Sequence, residues 1–198
     1  MARPREFDET QALNAAVIGF WEHGYEATSV RRLAASMGIT CASLYNAFGD
    51  KRALFRRALA HYVETGFSAR AARLERDLPP HEAIVAFFRE IVDRSVNDAD
   101  RKGCLIVNSA LELAPHDAEF RAVVEDVLNE MEAFFLRCLR AGQADGTISR
   151  AHQPQDLARL LLSVLMGLRV LARSHASPAL LQGALRPVFV LLDPETSN

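Results

Sequence analysis

Apolar residues recur three and four positions apart along nearly the whole chain, and no stretch alternates apolar with polar residues for long enough to make a strand. The pattern predicts helices throughout. A first helix starts at Asp8, carries Leu13, Val17, Phe20 and Trp21 on one face, and stops at His23-Gly24. Thr28 is expected to cap a second, SVRRLAASMG, which buries Val30, Leu33, Ala34 and Met37, turns Arg31 and Arg32 outward, and ends at Gly38. A third, barely two turns long, runs from about Cys41 to Phe48 behind a cap at Thr40. The fourth starts near Lys51 behind Asp50 and reaches about Arg76, with Leu54, Phe55, Leu59, Tyr62 and Val63 inward, until Pro79-Pro80 ends it. Five more are expected at roughly 81–97, 103–114, 117–143, 155–175 and 179–191, which makes an all-α chain of about nine helices.

The third helix poses the functional question. An isolated helix shorter than ~12 residues is marginal in water, so this one must be held by its neighbours and exist for what it displays. Helices two and three are joined by the tight turn Met37-Gly38-Ile39-Thr40, with small Ala34 and Gly38 at the crossing and Ile39 plugging the seam, which fits a helix-turn-helix. A DNA major groove roughly 12 Å wide admits one helix and is read by its first turn. That turn offers the small residues Thr40, Cys41, Ala42 and Ser43, followed by Tyr45, suited to a phosphate or a thymine methyl, and Asn46, able to bond adenine at two points or to cap the helix end. Lys51 and the amide ends of helices two and four are placed for flanking phosphates.

TSVRRLAASMGITCASLYNAFGDKRALFRRAL, with the Phe20…Gly24-Tyr25…Thr28 run before it, resembles the N-terminal DNA-binding domain of TetR/AcrR-family transcriptional regulators. The likeness covers about the first sixty residues: G-Y-x-x-T-S, the L-A-x-x-x-G-I-T turn, the L-Y-x-x-F helix and the D-K-x-x-L-F restart occur in order at the family's spacing. It implies an all-helical homodimer whose variable C-terminal domain binds a small molecule and thereby weakens operator binding. Carried over by position, it implies phosphate contacts from Thr28, Thr40, Tyr45 and Lys51, and base contacts from Ala42, Ser43 and Asn46. Cys41 and Asn46 depart from the family's usual choices, which leaves the operator sequence open. The stretch KGCLIVNSALELAPHD, Lys102 to Asp117, is similar to a subset of these regulators.

Charge fits this division. The net charge of −2 by itself argues against a nucleic-acid partner, yet residues 1–60 carry eight Lys/Arg against six Asp/Glu, while the rest carry fifteen against nineteen. A mildly basic DNA-binding head over residues 1–52 is therefore expected on an acidic ligand-binding and dimerisation body over residues 53–198.

In that body the adjacent aromatics Phe87-Phe88 and Phe134-Phe135 cannot both face one way, so one of each pair is expected to border a cavity or a dimer seam. A polar stripe of Asn108, Ser109 and Glu112 lies with Cys104 and Leu105. Phe88, Cys104, Asn108, Ser109, Glu112 and Phe135 are the expected contacts of an unidentified effector, against the alternative of a filled bundle core. The last two helices are apolar around most of their circumference, which points to a second copy of the chain.

Cys104 sits at a predicted helix start, where the helix dipole lowers a thiol pKa, so an oxidant or electrophile sensor is one reading and a buried small hydrophobe the other. Three unrelated cysteines, Cys41, Cys104 and Cys138, suit a reduced cytoplasmic protein. No secretory signal follows MARPREFDET, and the most apolar run, Leu157 to Ala172, is broken by Arg159 and Arg169 and too short for a membrane. The six His include no pair three or four apart to hold a metal, no cofactor is called for, and no catalytic constellation supports an enzyme. The expected function is a one-component regulator, most readily a repressor, that binds a palindromic double-stranded operator as a homodimer and is released by a small molecule. The alternatives are the Cys104 sensor on the same fold and a helical scaffold or enzyme that never reads DNA.

Overall fold

The computed structural model describes residues 7–194 and is all-helical over them, with no strand among the described residues. The head consists of α1 (Glu9–His23), α2 (Val30–Ser36) and α3 (Cys41–Phe48). Each helix begins where a short polar side chain accepts an otherwise orphaned backbone N–H: Asp8 from Thr10 and Gln11, Ser29 from Arg32, and Thr40 from Ser43. Ser29 is therefore the cap of α2, not Thr28 as expected. Gly24 and Gly38, at φ 80° and 69°, make the turns that a residue with a Cβ adopts only at a cost.

The fourth helix, α4 (Lys51–Val63), is capped by Asp50 and passes through a single π turn, Glu64–Ser68, into α5 (Ala69–Asp77). The rod expected from Lys51 to about Arg76 thus exists with one widened turn in it. Such turns inside α-helices are rare and recur at functional sites.

The body adds α6 (Pro80–Val96), α7 (Leu105–Glu112), α8 (Ala118–Asp145), α9 (Pro154–Ser174) and α10 (Pro178–Leu192). Proline opens α6, α9 and α10, where its fixed φ suits a first turn and its missing N–H costs nothing. Gly142 of α8 lets the segment before α9 fold back, because a Cβ there would stand 2.5 Å from the Ile148 side chain.

One apolar core runs through head and body. Phe20 of α1 meets Phe55 of α4 edge-on at 4.7 Å, and Phe55 meets Phe120 of α8 at 5.3 Å, so an aromatic chain crosses the junction. Deeper in the body Phe67, Phe87, Phe134 and Phe135 pack together. On the outside, α9 exposes Leu160 and Val170, and α10 exposes Leu180, Val190 and Leu191.

Candidate DNA-reading surface and cavity

The two inward residues of α3, Leu44 and Phe48, are one turn apart and buried, which holds this eight-residue helix against the head. Arg57 of α4 lies over the Phe48 ring at 4.8 Å and backs it from behind. The opposite face is left to solvent. Ala42, Tyr45 and Asn46 are exposed there, with Tyr45 at 49%, and Ser43 is half-buried beside them. Thr40 is exposed but engaged, since its hydroxyl accepts the Ser43 N–H at 3.1 Å. Asn46 is not the helix cap; Gly49 is, and its N–H donates to the Tyr45 carbonyl.

Lys51 opens α4 beside this face, with its Nζ 4.4 Å above the Tyr25 ring and donating to the Glu26 carbonyl at 3.3 Å. Thr28 departs from expectation. It is fully buried, and its hydroxyl donates to the carbonyls of Gly24 at 2.5 Å and Gly19 at 3.3 Å. A phosphate contact from that hydroxyl is corrected to a structural role, tying the α1–α2 turn to α1.

Several polar contacts fasten the head to the body, three of them onto the segment before α7, the end of α7 and the start of α8. Trp21 of α1 donates its indole N–H to the Lys102 carbonyl at 3.0 Å. Glu112 at the end of α7 accepts the backbone N–H groups of Tyr25 at 3.3 Å and Glu26 at 3.0 Å. Arg52 of α4 donates to Asp117 at 2.8 Å and Glu119 at 2.7 Å and lies over the Phe120 ring. These bonds raise the Arg52 pKa and hold the Asp117 and Glu119 carboxyls below their ordinary values.

A cavity of about 440 Å³ lies where α1, the π turn, α5, α6, the segment before α7, and α9 meet. Of the six residues expected to contact an effector, Cys104 alone borders it. Phe88 and Phe135 are instead stacked on each other in the core, 5.5 Å apart and nearly parallel. Asn108 donates to the Lys102 carbonyl at 3.1 Å, Ser109 to the Leu105 carbonyl at 2.7 Å, and Glu112 serves the head. The stripe that looked like a polar wall is consumed by backbone partners, as buried polar groups generally are.

The cavity wall is built by Phe87, the member of the Phe87-Phe88 pair that borders the hollow, and by residues that sequence reasoning missed: Trp21, Tyr62, Arg70, Arg94 and Arg169. A signal for two of the missed residues was present. Arg169 interrupts the apolar run of α9, and Arg70 stands three residues after Phe67 and four before Leu74, both inward-facing. The Tyr62 hydroxyl donates to the Cys104 sulfur at 3.8 Å, and burial pushes the Tyr62 pKa up. Cys138, in the core away from the cavity, has its thiol pushed up to about 12 by burial.

No cluster of three metal-ligating side chains and no helix long and apolar enough to cross a membrane occurs among the described residues.

Comparison with known proteins agrees with this geometry. Residues 12–58 match the family model "Bacterial regulatory proteins, tetR family", and residues 80–188 match "Tetracyclin repressor-like, C-terminal domain". The chain is similar to the uncharacterised HTH-type transcriptional regulator YezE of Bacillus subtilis (strain 168), with 35% identity over 195 residues that cover 98% of this chain and 100% of the relative. It is similar also to the HTH-type transcriptional repressor ComR of Escherichia coli (strain K12), with 30% identity over 176 residues, 88% of this chain and 84% of the relative. Among solved structures, a cysteine-substituted variant of the TetR-family regulator CifR, complexed with 26-bp double-strand operator DNA, superposes with a TM-score of 0.84. It shares 33% identity, and the match covers 96% of this chain and 100% of that one. With a buried-backed, outward-facing third helix and both halves matched by family models, the chain belongs to the TetR family of helix-turn-helix, DNA-binding transcriptional regulators.

Proposed function

We propose that the protein is a cytoplasmic one-component repressor that binds a palindromic operator as a homodimer and lets go when a small molecule occupies the cavity. The observation that carries this reading is the division of α3 into a buried edge, Leu44 and Phe48, and an exposed edge, Ala42, Tyr45 and Asn46. The exposed edge has the dimensions and chemistry to enter a major groove, with Asn46 and Ser43 toward base edges, and Thr40, Tyr45 and Lys51 toward phosphates. The amide end of α4 lies beside Lys51 and adds its dipole there. The relatives whose names describe repressors, and the neighbour solved on operator DNA, support the same direction.

Dimerisation through α9 and α10 accounts for their exposed apolar residues Leu160, Val170, Leu180, Val190 and Leu191. It places two copies of α3 for half-sites about one helical turn, ~34–36 Å, apart. Residues 1–52 then act as the reading head and 53–198 as the sensing and pairing body. Effector control requires only a modest preference for one spacing of the heads: a coupling of ~3 kcal/mol changes operator affinity about 150-fold. The cavity is suited to exert it, because Val17 and Trp21 of the head helix α1 form part of its wall.

A mobility-shift titration with DNA from the intergenic region beside the gene tests the reading. Sequence-specific retardation that weakens steeply with salt is expected; retardation indifferent to salt or to sequence overturns it. A second reading, an electrophile sensor, has one observation in its favour: the Cys104 sulfur borders the cavity although the residue is only 4% exposed. Operator release by a thiol-reactive compound that survives Cys104→Ser removes that reading.

A further inference from the structure

The charges around the cavity do not balance. Arg70, Arg94, Lys102 and Arg169 line it against one carboxylate, Asp98. Asp98 is already engaged, accepting the Lys102 backbone N–H at 2.7 Å and pairing with the Lys102 ammonium at 3.2 Å. The three guanidinium groups remain. Arg94 has no ion-pair partner among the described residues, and Arg169 reaches only the Ser95 hydroxyl, at 3.5 Å. Arg70 is more than nine-tenths buried, and its Nε lies 3.2 Å from a Glu90 carboxylate oxygen without forming an aligned hydrogen bond. That carboxylate is shared, since Glu90 also accepts from Arg73 at 2.6 Å.

The cost of this grouping falls on Arg70, which is buried, while Arg169 is half-buried and Arg94 exposed beside it. Burial first, then repulsion by Arg94 and Arg169, pulls the Arg70 pKa down to about 10. A buried cation persists where its neighbours hold it in place and something neutralises it. Around the arginines the wall is apolar, with Phe67, Phe87, Ile91 and Leu165 contributing to it. Few polar groups converging in an apolar hollow fix a ligand's orientation, and planar guanidinium donors match an oxyanion better than any neutral group.

We infer that the cavity binds a small organic monoanion, a carboxylate or similar oxyanion on an apolar body, held by Arg70, Arg94 and Arg169 with its apolar part against Phe87 and Leu165. The inference rests on the reading of the cavity as the effector site and names the chemical class it takes. Its anionic end relieves the repulsion among three like charges, and its body fills the hollow beside Trp21. Trp21 and Lys102 also border a more open depression, where Arg101 and Arg173 stand with the carboxylates Glu22 and Asp100.

Trp21 is the chain's one tryptophan and stands in the cavity wall, so its emission reports occupancy without DNA. The full-length protein is titrated with hexanoate and phenylacetate and, in parallel, with hexanamide and phenylacetamide, which match them in shape but lack the charge. Each acid is expected to change Trp21 emission saturably, with a Kd about ten-fold or more below that of its amide. Arg94→Gln and Arg169→Gln, at positions less buried than Arg70, are expected to shrink that preference while leaving the helical signal in circular dichroism unchanged. Amides that bind as tightly as the acids, no response to any acid, or a preference untouched in both variants overturns the anion site. The effector reading is tested separately by mobility shift: acids that bind without releasing the operator refute it and leave the anion site standing, and release by amides alone does the reverse.

Discussion

The indole N–H of Trp21, in the helix that opens the DNA-reading head, donates to the main-chain carbonyl of Lys102 at 3.0 Å, in the segment that leads into α7. Both residues border the cavity. The side chain also meets the Tyr62 ring edge-on at 5.0 Å, so it joins head, rod and cavity wall in one contact. Trp21→Phe keeps most of the packing and removes the bond. Because the Lys102 carbonyl still accepts from Asn108, the expected stability loss in chemical denaturation is small, about 1 kcal/mol. The larger expected effect is on coupling: operator release by a bound ligand falls several-fold, measured as the ratio of operator affinities with and without it.

Glu112 is placed against the dipole of its own helix, a carboxylate in the last turn of α7, so its position has a cause outside that helix. The cause is the α1–α2 turn, whose Tyr25 and Glu26 N–H groups it accepts. Glu112→Ala leaves both without their partner and is expected to cost about 1–2 kcal/mol in chemical denaturation. Operator binding is expected to weaken as well, because the turn carries Tyr25, over which Lys51 is held.

The Arg52 cluster makes head–body docking sensitive to acid. Hydrogen bonds from Arg52 hold the Asp117 and Glu119 carboxyls below their ordinary values of 3.8 and 4.5. With folded pKa values depressed, this contribution is fully present above about pH 5 and is lost as pH falls through the lowered values. Thermal stability followed from pH 6 to pH 3 is expected to fall more steeply in the native protein than in Arg52→Met, where the largest cause of the lowering is gone and only the backbone N–H groups on Asp117 and the Arg56 pair on Glu119 remain.

Tyr45→Ala and Lys51→Gln test two kinds of proposed DNA contact. Loss of one phosphate-neutralising charge at Lys51 is expected to lower affinity for all sequences alike and to reduce the slope of log affinity against log salt by roughly one. Tyr45→Ala is expected to weaken binding at every salt concentration with the slope unchanged. Either should alter the thermal midpoint only slightly, since Tyr45 is half exposed and Lys51 loses one hydrogen bond and its contact over the Tyr25 ring.

Val190 is 68% exposed on α10, next to the exposed Leu191. On the proposed pairing through α9 and α10, Val190→Glu places like charges across the interface and is expected to yield a monomer in analytical ultracentrifugation. At equal protein concentration its operator affinity should then drop by orders of magnitude, while its helical content stays the same.

Nearly all local structure follows from neighbours in the chain, and that part was legible. Asp8, Thr40 and Asp50 stop unsatisfied amides at helix starts, and glycines and prolines make the breaks, all within one or two turns of the residue concerned. The reading helix was legible for the same reason, because Leu44 and Phe48 fall inward and Tyr45 and Asn46 outward by helical period alone. Thr28 was misplaced because two residues able to cap stand side by side, and which of them turns inward is decided by the carbonyls of Gly19 and Gly24.

The cavity belongs to the tertiary structure. Periodicity says which face of a helix is buried but not whether the space beyond is filled, and adjacent pairs such as Phe87-Phe88 leave open which ring borders a hollow. The widened turn at Glu64–Ser68 and the crossing of α1, α6 and α9 decided that Phe87, Arg70, Arg94 and Arg169 meet around one volume, while Phe88 and Phe135 close the core. Residues separated by scores of positions converge there through packing, a quantity no local pattern encodes.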